Sequence, residues 1–309
     1  MEKKVKNFRR FALFSTLMTY FVIFMGGLVR VSGAGLGCPD WPKCFGRWLP
    51  PTSVEQLPAH IDPSLFNFTL AWIEYFNRLV GALLGVFITV TTVWALVSFR
   101  KFPKILYSAI AAFFLVALTG WQGGLLIRLE LEPLAVTIHM TLAFILVSVM
   151  IYLTLQAYFL ENPQLESNSV YRPKLHLWAG AIWLVSMLQI FFGTRIRSAI
   201  EIIREQYPLL HELEWLAKIG FMKHFHITLG FILVGMVAYV FNEAVNKSKN
   251  PSGLILQGSW AMMILVVLQV ITGLALIFIG IPPILQVLHL WISSIFFGTI
   301  LIVYSSLKA

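Results

Sequence analysis

Charged side chains are scarce in this chain: Asp, Glu, Lys and Arg make up 12% of its 309 residues, while hydrophobic residues make up 58%. With a mean hydropathy of +0.80, this composition excludes a soluble globular domain and defines an integral membrane protein. Acidic residues are the rarer sign, 14 against 23 Lys and Arg, for a net charge of +9. The cations sit mostly in short segments between apolar runs. The excess therefore reads as membrane topology, and no nucleic-acid partner is expected. Cysteine is nearly absent as well: the only two, Cys38 and Cys44, allow one intramolecular bridge at most.

What the chain has in quantity is uncharged sequence. The stretches bounded by Arg10 and Arg30, Arg78 and Arg100, Lys104 and Arg128, Glu132 and Glu161, Lys174 and Arg195, and Lys223 and Glu243 reach the ~20 apolar residues that a helix needs to cross a bilayer. Residues 250–307 carry no charge, and Gly280-Ile-Pro-Pro283 divides them into two spans. The fold class expected is an all-α membrane protein with eight transmembrane helices. Cations cluster at Lys3, Lys4, Lys6, Arg9 and Arg10 and in three short loops holding Arg100, Lys101 and Lys104, then Arg172 and Lys174, then Lys247 and Lys249. The positive-inside rule makes these segments cytoplasmic, which gives a multi-pass protein of the inner (cytoplasmic) membrane with both termini inside. The cationic start leads straight into a full-length span, so no cleaved signal peptide is expected.

On this topology the external loops at residues 32–67 and 198–220 are long and the one between them is very short. The later long loop mixes Ile202, Ile203, Leu209, Leu210, Leu213, Trp215 and Leu216 with Glu and Arg. That pattern suits a helix lying on the membrane surface or a partly buried connector. Cys38 and Cys44 share the first loop, on the oxidising side. A disulfide around Pro39-Asp-Trp-Pro-Lys43 is favoured there, with metal binding and a reactive dithiol as alternatives.

The chain also repeats itself. His289 follows His226 by 63 residues and His139 follows Asn77 by 62. His139 and His289 each come six residues after a proline, Pro133 and Pro283; Asn77 and His226 each come four before a glycine, Gly81 and Gly230. Gly26-Gly-Leu-Val-Arg30 matches Gly193-Thr-Arg-Ile-Arg197, and Thr119-Gly120 matches Thr272-Gly273. A duplication of this kind predicts two four-helix bundles related by a pseudo-two-fold, residues 1–162 and 163–309, with a site inside each. The members of each pair come from different helices at one depth, so they can face each other across a bundle. Haem is the cofactor that takes two axial histidines in this way. His226 and His289 form the complete ligand pair, since polar groups within spans are costly and usually functional. His224 cannot share that role, being about 200° around the helix from His226.

Several neighbours join this site. Gly81 and Gly230 lie one turn from Asn77 and His226, where a missing side chain leaves room for a flat macrocycle or for helix packing. Arg30, Arg78, Arg128, Arg195 and Arg197, at the external ends, can pair with haem propionates or simply snorkel to the interface. Glu74 precedes Asn77 by three and Arg78 by four residues. It can relay a proton or stabilise positive charge at the first site, or serve only as an ion-pair partner of Arg78.

The run Gly26-Gly-Leu-Val-Arg-Val-Ser-Gly-Ala-Gly-Leu-Gly-Cys-Pro-Asp-Trp-Pro-Lys-Cys44, followed by Trp72-Ile-Glu-Tyr-Phe-Asn-Arg-Leu-Val-Gly81, closely resembles haem A synthase. The likeness extends over essentially the whole chain. It implies an enzyme that oxidises the C8 methyl of haem O to a formyl group by two hydroxylations and loss of water. It also implies a resident haem b between His226 and His289 as electron carrier, and haem O as the substrate of the first half, with His139 and Glu74 as its catalytic residues. Among partners it implies a haem O synthase, terminal oxidase assembly factors and an electron donor that the sequence does not identify; a homo-oligomer is compatible with it. The chain departs from the family pattern at Asn77, where a histidine often precedes the arginine, and it lacks a second cysteine pair in the later long loop. An amide is a poor ligand for haem iron, so the first site is expected to supply one protein ligand, His139. Two rival expectations use the same histidines: a dihaem b-type cytochrome, and a haem carrier without catalysis.

Overall fold

The computed structural model describes residues 2–164, 173–247 and 252–308; Arg172 and Lys249, counted above among the cytoplasmic cations, lie outside the described residues. Among the described residues, eight helices are long and apolar enough to cross a membrane. In order they are α1 (Glu2–Val31), α2 (Phe68–Ser98), α3 (Pro103–Arg128), α4 (Pro133–Glu161), α5 (Pro173–Gln206), α7 (Phe221–Phe241), α8 (Gly253–Phe278) and α9 (Pro283–Lys308), with a short α6 (Glu212–Lys218) outside the set. A π-turn at Asn242–Asn246 prolongs α7.

The starts of these helices are written in the sequence. Pro103 and Pro133 occupy the first turns of α3 and α4, where the missing N–H costs nothing and the fixed φ suits the helix. The side chain of Asn67 caps α2 by accepting from Leu70 N at 3.1 Å, and Glu132 caps α4 by accepting from Ala135 N at 2.7 Å. Between α3 and α4 the chain reverses in a few residues by placing Glu130 and Leu131 at φ 49° and 60°, a left-handed conformation that non-glycine residues seldom adopt. The Leu131 side chain locks this turn by packing on Gly35, where an added Cβ would sit 2.8 Å from it.

Within the first half, α1 packs on α2 and α4, and α3 on α2 and α4; within the second, α5 packs on α7 and α9, and α8 on α7 and α9. Each set encloses its own apolar core, around Phe8, Ile88, Leu153 and Met150 in one and Ile182, Val237, Met262 and Ile300 in the other. The halves meet along α1, α4, α5 and α9, over a cluster of Phe144, Ile190 and Phe297 flanked by Met140 and Leu290. Hydroxyls join helices where lipid gives no hydrophobic driving force: Thr16 bonds Thr154 at 2.9 Å, and Thr92 reaches Ala109 O at 2.8 Å. Such contacts average about 0.6 kcal/mol in membrane bundles. Large apolar side chains such as Phe114, Leu177 and Phe278 remain exposed on the outer helix faces, as a lipid solvent allows.

The long loop expected at residues 198–220 begins later than its composition suggested. α5 carries on to Gln206, so Ile202 and Ile203 belong to the end of that helix. The surface helix is confined to α6, which the ring of His211 caps at Leu213 N.

Candidate functional site

The disulfide forms, with Cys38 and Cys44 Cα atoms 4.8 Å apart. The loop around it is fastened to α2 and α3. Gly37 lies against the backbone of α2, where an added Cβ would be 2.5 Å from the Leu70 carbonyl, and the Trp41 ring covers Gly124 of α3 at 2.9 Å from a would-be Cβ. Arg78 donates to the carbonyls of Asp40 at 2.7 Å, Lys43 at 2.8 Å and Cys38 at 3.2 Å. Glu74 is 3% exposed; one of its oxygens accepts from Cys38 N at 2.7 Å and the other from Arg78. Both side chains expected near the first cofactor are therefore engaged with the disulfide loop. The loop in turn sits one residue from Gly123, the glycine on which the His139 ring rests.

Three histidines share a local arrangement. An added Cβ on Gly123 would meet His139 Cε1 at 3.3 Å, on Gly193 His226 Cε1 at 3.4 Å, and on Gly273 His289 Cε1 at 3.3 Å. Glycine at these places lets an imidazole lie flat against the neighbouring helix. By this contact Gly123, and not Gly120 as the sequence match gave, is the counterpart of Gly273. The residue before each of those two glycines holds the ring: Gln122 bonds His139 Nδ1 at 2.8 Å, and Thr272 bonds His289 Nδ1 at 2.9 Å. Gln122 Nε2 is used on Ala135 O at 2.7 Å, and the Thr272 hydroxyl donates to Leu268 O at 2.9 Å. Both therefore accept from Nδ1–H, which leaves each Nε2 unprotonated and able to bind a metal.

In the second half the rings of His226 and His289 face each other with centroids 6.5 Å apart. Metal–imidazole bonds of about 2 Å, with each nitrogen about 1 Å from its ring centre, put two axial rings roughly 6 Å apart. The pair fits one iron between them. They line a cavity of about 310 Å³ together with Gln189, Gln269, Gly193 and Gly273, within the size range of cofactor pockets. His226 Nδ1, Gln189 Oε1, Gln269 Oε1 and Arg197 Nε are buried there without a hydrogen-bond partner.

Arg30, Arg197 and Lys223 line the same cavity; Arg30 lies at the end of α1 and Lys223 at the start of α7, while α5 continues past Arg197 to Gln206. Arg30 crosses from the first half to bond Ser198 at 2.8 Å and Glu201 at 3.1 Å, and Arg197 pairs with Glu201 at 3.0 Å. The matched segments, residues 26–30 of α1 and 193–197 of α5, thus meet at one place. Arg128 is exposed and Arg195 half-buried; neither lines that cavity, and Arg195 lies near enough to Glu132 to help hold its carboxyl below the usual carboxylate range. Asn77 Oδ1 is buried without a partner, and a Cβ on Gly81 would meet nothing within 4 Å. Gly230 differs: a Cβ there would be 3.1 Å from Gln189 Nε2. His224 is exposed, as its helical phase requires.

Eight membrane helices with a facing histidine pair inside the bundle and a disulfide-closed loop define a multi-pass membrane protein. The chain matches the cytochrome oxidase assembly proteins of the COX15-CtaA family over residues 9–301 and belongs to that family. It is 22% identical to "Heme A synthase" of Geobacillus kaustophilus over 96% of this chain and 90% of the relative. Identity is 26% with the protein of the same name in Staphylococcus carnosus, covering 96% and 92%. Against that of Shewanella oneidensis it is 34%, over 45% of this chain and 42% of the relative.

Proposed function

We propose that this protein is an oxidoreductase that converts haem O to haem A by oxidising the C8 methyl group to a formyl group. The observation that carries the reading is the complete histidine pair 6.5 Å apart in the second half, set against a first half that has His139 but carries Asn77 at the repeat position of His226. In this reading residues 1–162 and 163–309 are two bundles related by a pseudo-two-fold. The second holds a resident haem b on His226 and His289, whose iron supplies one-electron transfer. The first receives haem O on His139, and Asn77 leaves the other axial position without a strong protein ligand.

The chain's own groups have definite tasks in this scheme. Gln122 keeps the His139 proton on Nδ1 and so presents Nε2. Glu74 and Arg78 hold the disulfide loop over the first site, which keeps bulk water from the substrate. Arg30, Arg197 and Lys223 provide cations for the carboxylates of the resident group. The cationic loops set both termini in the cytoplasm, and the site then lies toward the external side of the inner membrane. A haem O synthase upstream and oxidase assembly downstream are the partners this chemistry needs.

The test is to incubate the purified protein with haem O under verified electron supply and to analyse the extracted haems by mass spectrometry. Hydroxylated and formyl products are expected. Recovery of haem O alone would leave a dihaem cytochrome or a haem carrier as the better description.

A further inference from the structure

Gln189 and Gln269 occupy corresponding places, each four residues before the glycine that receives a histidine ring, Gly193 and Gly273. Each reaches across to the neighbouring helix and makes the same bond. Gln189 Nε2 donates to His226 O at 3.0 Å, and Gln269 Nε2 donates to His289 O at 3.0 Å. A helix carbonyl has a second lone pair free after its i to i+4 bond, so each brace adds to the helix without breaking it. The chain makes room for both amides. Gly230, one turn after His226, has no side chain to block Gln189, and Ser293, one turn after His289, accepts from Gln269 through its hydroxyl.

Among the described residues the first half lacks both bonds to a ligand's own carbonyl; its glutamine, Gln122, reaches α4 one turn earlier, at Ala135 O, 2.7 Å away. Val22 stands four residues before Gly26, the match of Gly193, and Thr119 stands four before Gly123, with its hydroxyl turned back to Leu115 O at 2.7 Å. Neither can donate to the opposite helix as glutamine does. Ala143 stands where the second half has Ser293. The ring support of Gln122 is common to the design of both halves, since Thr272 does the same for His289; support of the ligand's own backbone belongs to the second half alone.

We propose that Gln189 and Gln269 are positioning residues that fix the His226 and His289 backbones at the separation a permanently bound haem requires, and that their absence from the first half leaves its ligand free to release a haem. This rests on the reading of His226 and His289 as axial ligands. Each brace acts by holding a ligand in place, so its loss changes how long the haem stays and how the two imidazole planes are oriented.

The experiment uses the full-length protein in detergent, loaded with haem, and measures transfer of haem to excess apomyoglobin together with the low-spin signal in electron paramagnetic resonance. Gln189→Met and Gln269→Met keep side-chain length and remove the donor. Each is expected to speed transfer from the slow, second-half site roughly fivefold and the double variant more, as loss of one or two hydrogen bonds would. The low-spin signal should shift in position, while the fast, first-half phase stays unchanged. Thr119→Gln is expected to slow that fast phase. Wild-type transfer rates with an unshifted signal in both methionine variants would overturn the proposal. A wild-type protein with no low-spin haem that depends on His226 and His289 would instead remove the reading beneath it.

Discussion

His139 and His289 each follow a helix-opening proline by six residues, each rest on a glycine of the preceding helix, and each give Nδ1–H to the side chain next to that glycine. Around this common unit the two halves diverge. In the second half a facing histidine, two glutamine braces and three cations converge on one cavity. In the first half the repeat position of His226 carries Asn77, whose Oδ1 has no partner, and Glu74 and Arg78 hold a disulfide loop. The difference teaches that a repeated scaffold can keep the placement of a histidine while its supports change, which in the proposed function separates a cofactor that stays from one that passes through.

The largest effect should come from removing the second-half ligands themselves. His226→Ala or His289→Ala leaves the iron with one protein nitrogen and is expected to weaken haem retention by more than the roughly 10–100-fold that loss of a supporting group costs a metal site. Haem per protein after gel filtration checks this. His139→Ala should leave that resident fraction intact. If both halves lost haem equally in either variant, the distinction between the two sites would fail.

Asn77→His attacks the comparison from the other side by giving the first half an imidazole at the repeat position of His226. The loaded first site should pass from a high-spin to a low-spin spectrum, and release of its haem should slow by roughly the same 10–100-fold. A wild-type first site already low-spin with two nitrogen ligands would refute one-ligand binding there.

Much of this contrast is legible in the sequence because it rests on residue type and spacing. Prolines mark the starts of α3 and α4, and residues 32–67 form the first long loop, with α1 ending at Val31 and α2 opening at Phe68; the charges mark the ends less well, since α5 runs through Arg195 to Gln206. The disulfide follows from two cysteines in one loop. Other parts depend on which helix faces which, and a list of spans does not contain that. Arg30 belongs to the first half by sequence and works at the second half's cavity, because α1 packs against α9. Gln189 and Gln269 read as two polar residues in apolar helices; their shared distance from Gly193 and Gly273 was the available signal. Gly230 could be placed on the right face from its spacing, but the group that fills the space beside it is the Gln189 amide. Glu74 likewise carries the correct spacing to Arg78, while its second bond, to Cys38 N, is made across 36 residues by loop packing.

The smallest effect concerns the cap that starts α4 and so sets where His139 stands. Backbone N–H groups of Leu134 and Ala135, with Arg195 nearby, hold the Glu132 carboxyl below its ordinary range. A group depressed in this way stabilises the fold at pH values above its unfolded pKa of about 4.3, and that contribution is lost as pH falls through the lower folded value. Glu132→Gln keeps an oxygen for the cap and removes the charge. The variant should therefore show a slightly lower melting temperature than wild type at pH 7, with the two converging as the pH drops below about 4. Because Glu132 is solvent-exposed the gap will be small, and it should narrow further in high salt. The turn before α9 is held differently, by Glu212 of α6 accepting from Ile281 N at 2.9 Å, so the difference between wild type and Glu132→Gln reports the α4 cap alone. A gap that widened on acidification would place the responsible charge elsewhere.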